Sequence, residues 1–324
     1  MKLHTPLILI AALTASGVAL ADGPIDGKVY GLINLSLDNV DRDDNVGTPT
    51  QIDEWQLNSN ASRFGYKGET ALDESLSVIY QVEWEVSVDG SSTDLTARNR
   101  FLGLKGGWGT IIAGRHDTPT KDIGKKVDLF NDLFGDIKNT FEGENRAPNI
   151  AIYSSPMFGN FTAHVAFMPG EDTAAGNDSI NDGMSAVIEG NVIDNLYLAL
   201  AIDRDVDGQD LERFVAQYTM GDFVFAAMLQ QNEDDLAVSQ QDESGMAASV
   251  AYKVGANTFK FQYGKIDNDA TAGTFEDEDT LSIGYDRKLG TNTKFFSYIT
   301  MDQDTNGNAE DELTVIGAGF EHKF

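Results

Sequence analysis

Residues 118–149, TPTKDIGKKVDLFNDLFGDIKNTFEGENRAPN, interrupt a chain that otherwise reads as short strands. The segment is long and lacks period-two alternation. A connection of this length inside a compact fold is usually functional or disordered. Its composition argues against disorder. Leu129, Phe130, Leu133, Phe134 and Ile137 recur at spacings of three and four, the pattern of a short apolar helical face within 127–141. Asp128, Asp132 and Asp136 form a second row at i, i+4. The segment is predicted to be a folded insertion with one apolar side that packs and one acidic side that faces water.

What surrounds it is β structure. From Leu76 to Val88 apolar side chains (Leu76, Val78, Tyr80, Val82, Trp84, Val86, Val88) alternate with a second row that includes Gln81, Glu83 and Glu85. This run exceeds the ~9–11 residues that a tilted strand needs to cross a bilayer. Strands are predicted near 25–37, 55–67, 76–88, 95–105, 108–116, 148–154, 160–168, 183–191, 195–203, 210–219, 222–230, 245–253, 257–266, 279–287, 292–301 and 311–324, sixteen in all. Their connections alternate in kind. Short ones such as MGD, VGAN and KLGTN fall at the even junctions. Long acidic ones such as DNVDRDDNVG, PGEDTAAGNDSIND and the 118–149 insertion fall at the odd junctions. An up-and-down meander with one tight rim and one elaborated rim produces this parity, which a soluble two-sheet protein does not explain. The expected fold is all-β, a 16-stranded antiparallel transmembrane β-barrel with short turns on one side and long loops on the other.

The faces agree with that reading. One face carries Tyr80, Trp84, Leu198, Leu200, Phe223, Phe225, Phe259, Phe261, Ile283 and Tyr285; the other carries Gln81, Glu83, Glu85, His164, Gln217, Gln230, Lys260 and Gln262. A packed soluble barrel needs an apolar interior. Here the interior is polar, so the exterior meets lipid, and closure is required because hydrocarbon does not tolerate an open sheet edge. FLGLKGG (101–107) and Lys294-Phe295-Phe296 allow either facing.

Residues 1–21, MKLHTPLILIAALTASGVALA, have the form of a signal peptide: Lys2, an apolar core from Leu7 to Leu13, and Ala19-Leu20-Ala21 as the cleavage site. The barrel domain is then 22–324. The chain has no cysteine, 52 acidic residues against 23 basic ones, and a net charge of −29, which becomes −30 once Lys2 is removed. Such acidity excludes duplex nucleic acid as a partner, because binding it requires clustered basic residues.

Four stretches, SRFGYKG (62–68), TARNRFLGLKGGWGTIIAGRHDTP (96–119), NRAPNIAIYSSPMFGNF (145–161) and the terminal GAGFEHKF (317–324), make the chain resemble a general porin of the Gram-negative outer membrane over its whole mature length. Phe320, His322 and Phe324 at alternate terminal positions resemble the signal read by the barrel assembly machinery. The resemblance implies an outer-membrane homotrimer among lipopolysaccharide and lipid, in which the loop 118–149 folds inward and narrows each pore. It also implies a wall of basic side chains opposite loop acids. The matching wall positions are Arg63, Arg98, Arg100 and Arg115; the loop candidates are Asp128, Asp132, Asp136, Glu142 and Glu144. Arg146 matches an arginine where the loop rejoins the next strand, and Glu83 and Glu85 point inward beside the wall by strand parity.

The expected function is passive diffusion of ions and small hydrophilic solutes, with weak cation selectivity from the acidic balance. The alternative is a solute-selective, oligosaccharide-type channel, which would need a continuous aromatic stripe in the lumen; Tyr30 and Tyr197 face inward without forming one. No H-E-x-x-H, P-loop, Cys/His cluster or G-x-S-x-G motif is present, and His116-Asp117 is the single weak catalytic pair, so no enzyme, resident metal or cofactor is expected. The acidic outer loops are suited to Ca2+ or Mg2+ bridging toward lipopolysaccharide phosphates.

Overall fold

The computed structural model describes residues 27–44, 50–90, 95–170, 179–234, 242–268, 276–306 and 309–324. The signal segment 1–21 and parts of several long connections lie outside the described residues. The strand segments are β1 (Gly27–Asp44), β2 (Thr50–Ser59), β3 (Arg63–Ala71), β4 (Leu76–Glu85), β5 (Thr96–Gly106), β6 (Gly109–Asp117), β7 (Arg146–Ser154), β8 (Phe161–Met168), β9 (Gly183–Ile193), β10 (Leu196–Val206), β11 (Gln209–Met220), β12 (Phe223–Asp234), β13 (Asp242–Val254), β14 (Asn257–Asn268), β15 (Glu276–Lys288), β16 (Thr293–Asn306) and β17 (Ala309–Lys323).

Successive strands pair antiparallel, except that β2 and β3 both pair with β1, and β17 pairs back along β1 from Leu32↔Lys323 to Asp44↔Asp311, so the sheet closes. β2 and β3 are two halves of one stave. β1 pairs with β2 through Leu35–Asp44 and with β3 through Gly27–Leu32. The break at Asn60–Ser62 is a local kink in which Ala61 takes a left-handed φ of 48°. The seventeen segments therefore make a sixteen-stave barrel. The tight rim uses turns such as Gly221-Asp222 and Gly255-Ala256, where both glycines have positive φ as two-residue hairpins require.

The distribution of burial is inverted relative to a soluble barrel. Val29, Leu37, Leu102, Leu200, Leu229 and Phe259 are exposed on the outside. Asn34, Ser36, Gln230, Ser249, Gln262, Ser282 and Thr300 are buried on the inside. Near the tight rim Phe223, Tyr252, Phe259 and Tyr285 stack in sequence across four strands, an aromatic girdle of the kind that marks a membrane interface. Phe295 lies outside against Phe320, while Phe296 is buried inside beside Tyr298, which settles the Lys294-Phe295-Phe296 ambiguity.

The segment 118–145 folds into the lumen, but not as the helix expected over 127–141. The α-helix is α1 (Pro119–Gly124), capped by Thr118, with a 3-10 turn at Ile137–Asn139 further on. The reason lies in the aspartates. Asp128 accepts from the Phe130 amide, and Asp136 accepts from the amides of Asp132 and Lys138. Side chains that bond nearby backbone in this way compete with helical hydrogen bonds. Asp132 also adopts φ 67°. The apolar positions still pack: Val127, Phe130, Leu133, Ile137 and Phe141 are buried against the inner wall. Wall glycines make the room. A Cβ at Gly245 or Gly264 would meet the Phe141 ring at 2.8 and 2.9 Å, and one at Gly284 would meet Phe130 at 2.7 Å. Burying each phenylalanine contributes about 1.5–3 kcal/mol.

Candidate functional site

A polar lumen cavity of about 860 Å³ remains beside the inserted segment. The kink before β3 directs Arg63 into it, where Nη1 donates to Asp132 Oδ2 at 2.8 Å and to the Ala61 carbonyl at 3.1 Å. This ion pair joins wall to loop across the lumen. Arg98 enters from a bulge in β5, where the register shifts between Val82↔Arg100 and Trp84↔Ala97. It donates through Nε to Glu83 at 2.8 Å and through Nη1 to Glu85 at 2.6 Å. Glu83 also accepts from the Tyr30 hydroxyl at 2.8 Å. Arg146 donates to Asp117 and to Asn99, both at 2.8 Å, at the point where the loop rejoins the barrel.

The bulge has a second consequence. It places Arg100 and Arg115 on the outside, contrary to the expectation that both belong to the inner basic wall. Arg100 sits over the Trp84 ring at 5.4 Å, and Trp84 stacks on the exposed Phe64. Arg115 is in register with Arg100 on the same sheet face. Alternation counted along an unbroken strand carries no sign of the extra residue.

The loop acids also divide. Asp132, Asp136 and Glu144 line the cavity. Asp128 is half-buried in the loop outside the cavity lining, where loss of solvent and then the neighbouring Asp136 push its carboxyl pKa well above the usual range. Glu142 is exposed but lies outside the cavity lining; its carbonyl is the part held by the wall. The acidic row thus faces the cavity water only through Asp132 and Asp136, and Asp128 and Asp136 also serve as turn-forming acceptors for backbone amides.

The side chain that grips the loop was missed by sequence reasoning. Arg213 on β11 is 1% exposed. Nη1 donates to Glu144 Oε1 at 2.6 Å and to the Thr120 carbonyl at 3.2 Å, and Nη2 donates to the Glu142 carbonyl at 2.7 Å. Gln230 accepts from Nε at 2.9 Å and itself donates to the Glu142 carbonyl at 3.1 Å. One wall arginine therefore holds both ends of the insertion. Strand parity contained the signal, because Arg213 shares its row with the inward-facing Gln217. Burial raises the Glu144 pKa, and Arg213 opposes that shift.

Further wall contacts fix the middle of the loop. Gln262 accepts from the Leu129 amide at 2.7 Å and donates to the Gly135 carbonyl at 2.8 Å. Lys260 donates to the Leu129 carbonyl at 2.9 Å and lies over the Phe130 ring. The loop also brings cations that the sequence reading left out. Lys121, Lys125 and Lys138 line the cavity. Burial disfavours the charged form of Lys125, but Asp122 and Asp117 outweigh it and hold that ammonium pKa above the usual value. His116 directs Nδ1 to the Asp117 carbonyl at 2.8 Å and its ring against Phe101. The Asp117 carboxylate is engaged by Arg146 and Lys125, so the two do not form a catalytic pair.

At the end of the chain, the Phe324 amide and carbonyl bond Gly31 at 3.0 and 2.9 Å. Phe320 is exposed on the outer face, and His322 bonds Thr293 at the tight rim.

The family model described as Gram-negative porin matches residues 8–309. The "Major outer membrane protein P.IB" of Neisseria lactamica is 24% identical over 297 residues, spanning 83% of this chain and 86% of that protein. The protein of the same name from Neisseria gonorrhoeae is 28% identical over 197 residues, 57% of this chain and 53% of that protein. Among solved structures, the anion-selective porin from Comamonas acidovorans superposes with a TM-score of 0.78 at 19% identity, covering 93% of this chain and all of that one. The trimer form of OmpT from Vibrio cholerae superposes at 0.71 with 18% identity, covering 92% and 100%.

Proposed function

The chain belongs to the Gram-negative porin family, a channel for small solutes across the outer membrane, and from that premise we propose a homotrimeric, passive, weakly cation-selective diffusion pore for ions and small hydrophilic solutes. The observation that carries the reading is the charged cavity beside the inserted loop. Arg63 and Arg98 on the wall and Asp132 and Asp136 on the loop create a transverse field across water. A pore lined in this way admits polar solutes in preference to apolar ones. No catalytic role accompanies it.

The cation preference rests on the outer vestibule. Glu278, Asp302 and Asp304 face the lumen near the elaborated rim, with carboxylate oxygens within 4.8 Å of one another. They add to a chain whose net charge is −29, and acidic rings favour cations. One observation favours the opposite sign. Eight basic side chains line the cavity (Arg63, Arg98, Lys121, Lys125, Lys138, Arg146, Lys294, Lys323) against seven acidic ones (Glu83, Glu85, Asp117, Asp132, Asp136, Glu144, Glu321). The second reading is therefore weak anion preference set at the constriction; the Comamonas acidovorans neighbour is itself an anion-selective porin.

Reversal potentials across planar bilayers under a KCl gradient separate the two. A cation-selective potential that weakens in Asp302→Asn supports the vestibule. An anion-selective potential insensitive to Asp302→Asn refutes it. Block by oligosaccharide at low concentration would replace general diffusion with the solute-selective alternative. Phe324 and its alternate neighbours serve the barrel assembly machinery in this reading. Mg2+ or Ca2+ bridges the acidic outer loops to lipopolysaccharide.

A further inference from the structure

Ser154, His164, Glu189 and Tyr197 form a chain of hydrogen bonds on the inner wall that the diffusion pathway does not use. Ser154 ends β7 and stands directly opposite His164 of β8. Its Oγ lies 2.8 Å from His164 Nδ1, and His164 Nε2 lies 3.1 Å from Glu189 Oε1 on β9. The other carboxylate oxygen of Glu189 accepts from the Tyr197 hydroxyl on β10. Four consecutive strands thus contribute one side chain each. All four share the inward row: Ser154 follows the buried Ile150 and Ile152, His164 precedes Ala166, Glu189 follows Ser185 and Val187, and Tyr197 precedes Ala199. The side chains of His164 and Glu189 remain 22% and 31% exposed, so the relay meets lumen water at the tight-rim end of the barrel.

The bonds fix where the protons sit. A carboxylate, ionised at neutral pH, only accepts, so Nε2 carries the ring proton and donates it to Glu189. Nδ1 is then a lone pair, and it accepts from the Ser154 hydroxyl. Tyr197 holds the carboxylate from its far side. Lys126 of the inserted segment lies over the Tyr197 ring at 4.6 Å and acts electrostatically on Glu189. A hydroxyl, a base within hydrogen-bond reach and a third group that orients the base are the parts of an activated nucleophile. Here Nδ1 faces the serine and Nε2 the acid, the reverse of the common order. The roles are unchanged, because either ring nitrogen can act as the base.

We propose that Ser154 is a nucleophile activated by His164, and that the lumen hydrolyses small activated esters through a covalent acyl intermediate on Ser154. Oγ attacks the ester carbonyl carbon while its proton passes to Nδ1. The bond from that carbon to the leaving oxygen breaks, and the leaving alcohol takes the proton from Nδ1. Water then attacks the acyl carbon and gives a proton to Nδ1. The bond to Oγ breaks, and Oγ recovers its proton from Nδ1. One ester and one water become one acid and one alcohol. Glu189 is a positioning residue that orients the imidazole and stabilises the imidazolium. Every donor of the relay is engaged, so the developing oxyanion is left to lumen water. The substrate must therefore bring a good leaving group, as an aryl ester does. The activity is independent of the sign of the ion preference.

The folded, purified protein is incubated with a fluorophosphonate probe, the labelled residue is mapped by mass spectrometry, and p-nitrophenyl acetate hydrolysis is followed in parallel. The label is expected on Ser154 and is lost in Ser154→Ala. His164→Gln should slow both labelling and hydrolysis by on the order of 10²-fold, the lower end of what a general base contributes. Channel conductance in both variants reports that the barrel is intact, since neither residue lines the constriction cavity. The groups facing His164 are Ser154 and Glu189, with Tyr197 and Lys126 beyond the carboxylate. Labelling should rise with pH as the imidazolium loses its proton. Glu189→Gln removes the negative charge that favours the imidazolium, so the midpoint of that rise should move to lower pH. A merely structural Glu189 would leave the midpoint in place, which refutes its part in the relay. An unlabelled Ser154 in the conducting wild type overturns the proposal, whatever the variants do. Equal labelling of wild type and His164→Gln marks an accessible but unactivated serine and overturns it as well.

Discussion

Removing Arg213 should unseat the inserted loop without opening the barrel. The Arg213 side chain is fully buried, its partner Glu144 is 8% exposed, and their atoms are 2.6 Å apart. Deleting one member of a buried ion pair leaves the other charge uncompensated and costs about 3–5 kcal/mol. Arg213→Met keeps the volume of the stem and removes every donor. The Glu142 carbonyl keeps its bond from Gln230, whereas the Thr120 carbonyl loses the Arg213 donor, so the main loss is electrostatic and falls on Glu144. The strand ladder of β11 with β10 and β12 is backbone bonding and stays in place. At about 1.4 kcal/mol per tenfold, the seated-to-unseated ratio of the loop falls by roughly two to three and a half orders of magnitude. Single-channel recording reads this as frequent substates and a changed open conductance, while heat modifiability of the barrel is retained. Replacing both partners, Arg213→Met with Glu144→Gln, removes the orphaned charge and should recover most of the quiet behaviour, because paired removal is often near neutral. A quiet, wild-type current in Arg213→Met would refute the clamp. So would a double variant noisier than the single one.

Other outcomes follow from the same geometry. Burial and Asp136 raise the Asp128 pKa, so the folded loop binds that proton more tightly than the unfolded chain does. Loop seating is fully supported below the ordinary aspartate range near about 3.9 and weakens as pH rises through and above it. Asp128→Asn keeps the acceptor for the Phe130 amide and should raise thermal stability at neutral pH and flatten its dependence on pH; a scan showing the wild-type slope would contradict this. Arg63→Ala removes one lining cation and the wall-to-loop bond to Asp132. Its reversal potential should move toward cation selectivity, and a move toward anions would be the wrong sign. At the seam, a Cβ on Gly31 would lie 2.2 Å from the Phe324 ring. Gly31→Val should therefore cost about 1–3 kcal/mol of overpacking, read as unfolding of the barrel at lower temperature in gel-shift assays.

Much of the fold was legible because period-two strands come with a parity of connections that a soluble two-sheet protein does not produce. The alternation from Leu76, the girdle residues Phe223, Phe259 and Tyr285, and the parity of short and long connections determine a closed barrel with lipid outside and water inside. Hydrogen-bond saturation in hydrocarbon leaves no other arrangement for such strands. The inward facing of Glu83, Glu85, Gln217, Lys260 and Gln262, and the packing of Phe130 and Leu133 on the wall, were legible by the same parity and spacing.

What the tertiary structure decided is where that period breaks and what the insertion meets. One extra residue in β5 turned Arg100 outward and Arg98 inward, and register is invisible to composition. Aspartates that read as a wetted helix face became acceptors for backbone amides, because a loop enclosed by a barrel must satisfy its own amides with whatever side chains are near. Arg213 became the clamp only when residues 120, 142 and 144 were brought to it from the far ends of the insertion. The sequence by itself determined that 118–149 folds and packs. Three-dimensional proximity, between residues some seventy to ninety positions apart, determined what holds it and which charges it leaves facing the water.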